Sequence, residues 1–155
     1  MSGTGRGQER DSAIETRAHI AEVQQLLETF ALQLVLRGHH HDRSKLGPKE
    51  KPHFDRAPPL RREVDLTSPE YMTALRQLGQ ALEHHYKVNS HHPEHYPNGV
   101  AGMCLVDLLE MVCDWKVTSQ SRGRSLGLDY AFARFTVEPQ LQSIIRNTAQ
   151  RAGWG

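Results

Sequence analysis

The segment "VAGMCLVDLLEMVCDWKVTSQ", residues 100–120, at the heart of a helix expected from about 99 to 121, limits what this chain can fold into more than any other. Leu105, Val106, Leu108, Leu109, Met111, Val112 and Trp115 cover most of the circumference of the helix it predicts, and a helix apolar nearly all round is a buried one. Yet Asp107, Glu110 and Asp114 fall at i, i+3 and i+7, inside one narrow arc. Three acids lined up on a buried helix are costly without partners. They need cations or protonation, and the cheapest resolution is a metal ion, or a cluster of histidines and basic residues, facing that stripe.

The chain is rich in the first kind of partner. It has ten histidines, nine of them from His39 to His95. Helix phase sorts some of these. His19, Val23, Leu26 and Phe30 are spaced i, i+4, i+7 and i+11, which predicts that His19 faces the core. Leu75, Leu78 and Leu82 extend by the same rule to His85, with His84 about 100° off that line.

Several further helices are expected around residues 99–121. Ser12 and Glu15 form a capping box, an apolar pattern runs from Ile14 to Val35, and Gly38 is placed to stop a helix over 13–37. Thr67 and Glu70, with Pro69 in the first turn, open a helix over 69–87. Shorter helical segments follow around 129–135 and 138–151. Residues 46–66 carry four prolines and read as a long loop with one short turn of helix, a candidate lid. There is no strand pattern and no internal repeat. The expectation is an all-α chain: a single helical bundle domain of about five to seven helices over 12–155, after a polar, glycine-rich, disordered tail over 1–11.

Bulk composition excludes some partners. At 155 residues, 37% apolar and 24% charged, the chain suits one compact soluble domain. A net charge of +1 offers no field for a nucleic-acid polymer or an anionic membrane. No apolar run is long enough to span a bilayer, and the N-terminus has no secretory character. Cys104 and Cys113 fall about 13 Å apart along one helix, too far for a mutual disulfide. Free, buried thiols point to a reducing compartment, hence a cytoplasmic location.

Taken singly, each polar feature has a plain structural explanation. An inward histidine is usually a satisfied core residue, "HHHD" at residues 39–42 suits a helix end, and one buried acid is usually half of an ion pair. Taken together they are histidines and carboxylates from separate helices converging on one core, which is how metal sites are built in helical folds.

A histidine on one helix, a contiguous His-Asp pair after it and a distant aspartate on a later helix resemble the HD-domain superfamily of metal-dependent phosphohydrolases. His19, His41-Asp42 and Asp114 fill those places. "HDRSK" is similar to the HD-x-G-K variant of members with two metals, among them cyclic-dinucleotide phosphodiesterases and diiron oxygenases of the same fold. "HHPEHYPNGV" is distantly similar to a segment of the cyclic-dinucleotide enzymes. "HHYKVNSHHPEHY" with "EMVCDWK" resembles a family of short, uncharacterised bacterial and phage HD-like domains over most of residues 15–122. Lys45 stands where many single-metal nucleotidases have a glutamate, Ser44 replaces the glycine before it, and the gap from His85 to His91 is short, so the second ion's ligands stay open.

The resemblance implies a divalent transition metal, one or two ions of Mn, Fe, Co, Ni or Zn, held by His19, His41, Asp42 and Asp114. Asp42 would bridge to a second ion on His85 with His91, His92 or both. It implies a metal-activated water attacking a small phosphorylated substrate, most naturally a nucleotide. Lys45 is expected to hold a phosphate oxygen, and Glu110 to orient a ligand histidine or relay a proton. Asn89 caps a helix or touches substrate, and Arg122 and Arg124 are candidates for a phosphate tail. The competing expectations are a diiron oxygenase on the same scaffold and a non-catalytic, metal-stabilised module. A homodimer through the long first helix is also open.

Overall fold

The computed structural model describes residues 11–56, 67–121, 123 and 125–154. Residues 1–10 of the expected tail, residues 57–66 of the expected loop, and Arg122 and Arg124 lie outside the described residues. Among the described residues six α-helices follow one another: α1 Ser12–His40, α2 Lys51–Arg56, α3 Pro69–Val88, α4 Leu105–Ser121, α5 Leu128–Arg134 and α6 Pro139–Arg151. Short 3-10 turns lie at Arg43–Leu46, Pro93–His95 and Gly99–Gly102. The described residues contain no strand, and none of their helices is long and apolar enough to cross a membrane. The chain is all-α, as expected.

The core lies towards the C-terminal end. Met111 and Val112 of α4, Leu128 and Phe132 of α5, and Ile145 and Ala149 of α6 bury themselves together with Val100 and Val137. The Trp115 and Phe135 rings stack beside them, 5.8 Å apart and nearly parallel. On α3, Tyr71, Leu78 and Ala81 are buried. Proline opens α3 and α6, where its missing N–H costs nothing. The Ser68 side chain accepts the Tyr71 N–H to cap α3, and Asp11 accepts from Ala13 to cap α1, so both caps lie one residue from the expected ones.

Three expectations need correction. First, α1 has no buried residue. The stripe of His19, Val23, Leu26 and Phe30 is exposed, because the core is assembled from α4, α5 and α6, and among the described residues α1 packs mainly on α4. Periodicity marks an apolar face but not what covers it. Second, α1 runs through Gly38 to His40, and Asp42, at φ 58°, takes the left-handed position that ends it. Third, α4 starts only at Leu105 and is not buried all round. Leu105 and Val117 face out, and Cys104 and Cys113 are free but exposed.

Candidate metal centre

The end of α1 fixes the first two side chains of the site. His41 is extended at φ −49°, ψ 127°, and Asp42 follows in the left-handed region that Asp tolerates better than most residues. That sharp reversal turns two neighbouring side chains toward one cluster of histidines and carboxylates. The Lys45 N–H closes the turn on the Asp42 carbonyl at 2.9 Å. His85 comes from the last turn of α3, His91 and His92 from the connection after it, and Asp114 from the middle of α4.

These residues converge. Donor atoms of Asp42, His85, His91 and His92 lie within 4.8 Å of one another, and so do those of His41, His91 and Asp114. His85 Nε2 stands 3.2 Å and His91 Nε2 3.5 Å from Asp42 Oδ1, and His85 Nε2 is 2.9 Å from His92 Nε2. His41 Nε2 is 3.6 Å from Asp42 Oδ2 and 3.7 Å from Asp114 Oδ1. Asp42 thus turns one oxygen to each group.

The fit to a metal can be judged from polar satisfaction. Among the described residues, the buried side-chain polar atoms with no hydrogen-bond partner are Asp42 Oδ1 and His91 Nε2. They face each other. Buried polar atoms are almost always paired, so two orphans aimed at one point leave a place that could hold a cation. Neutral imidazole nitrogens and carboxylate oxygens suit divalent transition ions.

The far sides of the rings carry the same message. His41 Nδ1–H donates to Glu110 Oε1 at 2.8 Å, and His91 Nδ1 lies 3.2 Å from that same oxygen. His85 Nδ1–H donates to Glu50 Oε2 at 2.9 Å. A carboxylate behind each ring fixes its tautomer and turns Nε2 toward the centre, the arrangement metal-ligating histidines favour. Glu110 is itself held by Arg37 Nε at 2.6 Å, and Arg37 continues to Ser90 and Asp107. Asp107 is buried and also accepts from Ser90, Tyr96 and the N–H and S–H of Cys104. Glu50 is fully buried and additionally accepts from His84 and Ser44.

Without a metal ion, protons and neighbouring charges share out the electrostatics. Burial opposes ionisation of Asp42, but His85, His91 and Lys45 beside it hold its carboxyl well below the ordinary range. Burial likewise opposes Glu110, and His41, His91 and Arg37 hold it low. Asp114 and Glu110 raise His41 to about 10, whereas burial, with His91 and His85 alongside, pushes His92 down to about 3. Spreads of this kind cluster at functional sites.

The expected residues do not all arrive. His19 lies 22 residues before His41, most of them in α1, about 33 Å away by helix rise, and is exposed, so it is no ligand of this centre. Lys45 is present at the rim, but its ammonium is spent on Asp42 Oδ2 at 2.6 Å. Asn89 belongs to the scaffold: its amide donates to Ser44 Oγ and to the His85 carbonyl, both at 2.8 Å, which favours the helix-end role over a substrate contact. Arg37 and Glu50 were not foreseen. Arg37 looks like an ordinary last-turn cation and Glu50 like one charge in a proline-rich loop, and only tertiary contact reveals either.

A cavity of about 380 Å³ opens beside the centre. His92 and Asp114 form one wall, and Tyr86, Trp115, Phe135 and Arg134 line much of the rest. The Arg134 guanidinium lies over the Phe135 ring, 4.9 Å from its centroid, and 3.4 Å from Glu94.

A model of a family of unknown function (DUF5662) matches residues 8–151, and the chain belongs to that family. No curated protein and no solved structure matches.

Proposed function

We propose that this DUF5662 chain is a metal-dependent phosphohydrolase of the HD-domain kind, cleaving a phosphoester of a small molecule, with a nucleotide as the favoured substrate. One observation carries it: Asp42 Oδ1 and His91 Nε2, buried and unpartnered, face each other inside a ring of four further donors. Asp42, His85, His91 and His92 would hold one divalent transition ion, and His41 with Asp114 a second, with Asp42 between them. When bound, such ions supply a water acidified toward neutral pH and positive charge against a phosphoryl oxygen.

The chain's own residues do the rest. Glu110 and Glu50 keep three imidazoles in one tautomer and one orientation. Arg37 holds Glu110 in place through its Nε–H. Glu110 therefore acts through His41 and His91 as a positioning residue. Lys45 holds Asp42 and would offer its positive charge to an anion arriving beside it. The neighbouring cavity suits the organic part of the substrate, with aromatic walls for a flat ring and Arg134 for a further anionic group.

The test is turnover. The full chain loaded with Mn, Fe, Co, Ni or Zn is assayed against nucleotides and simple phosphoesters. Release of phosphate or of a phosphomonoester, lost in Asp42→Ala, is expected. No turnover with any metal overturns the hydrolase and leaves the non-catalytic module. Oxygen uptake by the iron-loaded chain, with no phosphoester cleaved, identifies the diiron oxygenase instead.

A further inference from the structure

We propose that α1 pairs antiparallel with α1 of a second copy of this chain. The helix is 29 residues long, about 43 Å. Leu34 and Arg37 are half-buried against the body, and every other position on it is exposed. Ile14, Ile20, Val23, Leu26, Leu27, Phe30, Leu32, Val35 and Leu36 are all among the exposed large apolar side chains. A lone helix in water draws little stability from its own hydrogen bonds, and an apolar surface this continuous marks an interaction site.

The pattern identifies the occupant. The exposed Ile20, Val23, Leu27 and Phe30 repeat at steps of three, four and three residues, the seam of a two-stranded coiled coil, and Leu26 lies on its flank. Glu15, Arg17, Glu22 and Glu28 all fall outside the seam. The seam is complementary to itself in reverse. With residue 25 on a two-fold axis, Ile20 of one copy meets Phe30 of the other, and Val23 meets Leu27, so large faces small in each layer.

Charge selects the antiparallel sense. The start of α1 is acidic, with Asp11 and Glu15, and the exposed basic side chains of its last turn are His39 and His40, since Arg37 is taken up by Glu110 and Asp107. An antiparallel pair sets each acidic end beside the partner's basic end and opposes the helix dipoles, whereas a parallel pair stacks like on like. The acidic end of each copy then lies along the turn that presents His41 and Asp42. The pairing does not depend on the metal or on the reaction.

Sedimentation equilibrium on the full chain tests it. The expected particle contains two 17.6 kDa chains. Val23→Lys and Leu27→Glu, both at exposed positions, should each weaken association at least tenfold, and mixing the two variants should restore the dimer, because residue 23 of one copy faces residue 27 of the other. A 17.6 kDa particle at all concentrations, or a dimer indifferent to both substitutions, overturns the pairing. Failure of the mixture to recover the dimer overturns its antiparallel register.

Discussion

Glu50, with no exposed surface, accepts the Nδ1–H of His85 at 2.9 Å and so decides which nitrogen of that ring faces Asp42. Glu50→Gln preserves the volume but offers His85 an amide that can present a donor. Metal affinity should fall about 10–100-fold, the usual cost of losing such a partner. Calorimetric titration of the metal-free chain with Zn or Mn reads it. Unchanged affinity would place Glu50 in the scaffold alone.

Arg37 joins two acids of α4, Asp107 and Glu110, from the last turn of α1. Arg37→Met removes the cation and leaves both carboxylates facing a low-dielectric interior. The loss should be about 3 kcal/mol of stability, measured by urea unfolding. Arg37→Lys should recover only part of it, because one ammonium cannot reproduce the fork that reaches Glu110, Ser90 and Asp107 together.

Two glycines should respond oppositely to alanine. Gly79 kinks α3 at φ 25°, a conformation an L side chain resists. Gly79→Ala should cost roughly 1–2 kcal/mol. Gly38 lies inside α1, where an added Cβ meets nothing within 4 Å. Gly38→Ala should stabilise by about 0.5–1 kcal/mol through helix propensity. Thermal unfolding of the two variants checks both signs.

Asp107 gives a pH signature away from the metal ligands. Burial opposes its charge, but Cys104, Ser90 and Tyr96 hold its carboxyl well below the ordinary 3.8. A carboxyl depressed in the fold stabilises it above the unfolded value and loses that contribution as pH falls through 3.8 toward the folded value. Unfolding free energy should therefore decline below about pH 4, and Asp107→Asn should be less stable at pH 7 with a flatter acid limb. An unchanged limb would contradict this.

Much of the fold was legible in the sequence, because helix formation is local. The periodicity of α1 and α3 and the proline start of α3 mark helices within a few residues of their observed ends. The three acids of α4 correctly announced that positive charge or metal must face them, and His85 rather than His84 points to the centre. Contact between distant elements was not legible. An exposed and a buried apolar stripe look alike in sequence, so α1 was expected to face the core and His19 to reach the site. Glu50 and Arg37 carry no local mark, since their importance comes from partners 35 and 70–73 positions away.

The central claim is that Asp42, His85, His91 and His92, with His41 and Asp114, bind metal. Elemental analysis of the full chain after reconstitution with Mn, Fe, Co, Ni or Zn tests it most directly. The native chain and His19→Ala should carry one to two equivalents of metal, while Asp42→Ala and His91→Ala should lose most of it and melt at a lower temperature than the native holo form. Near-zero metal in the native chain with every ion offered, or equal metal in all four proteins, would contradict the account.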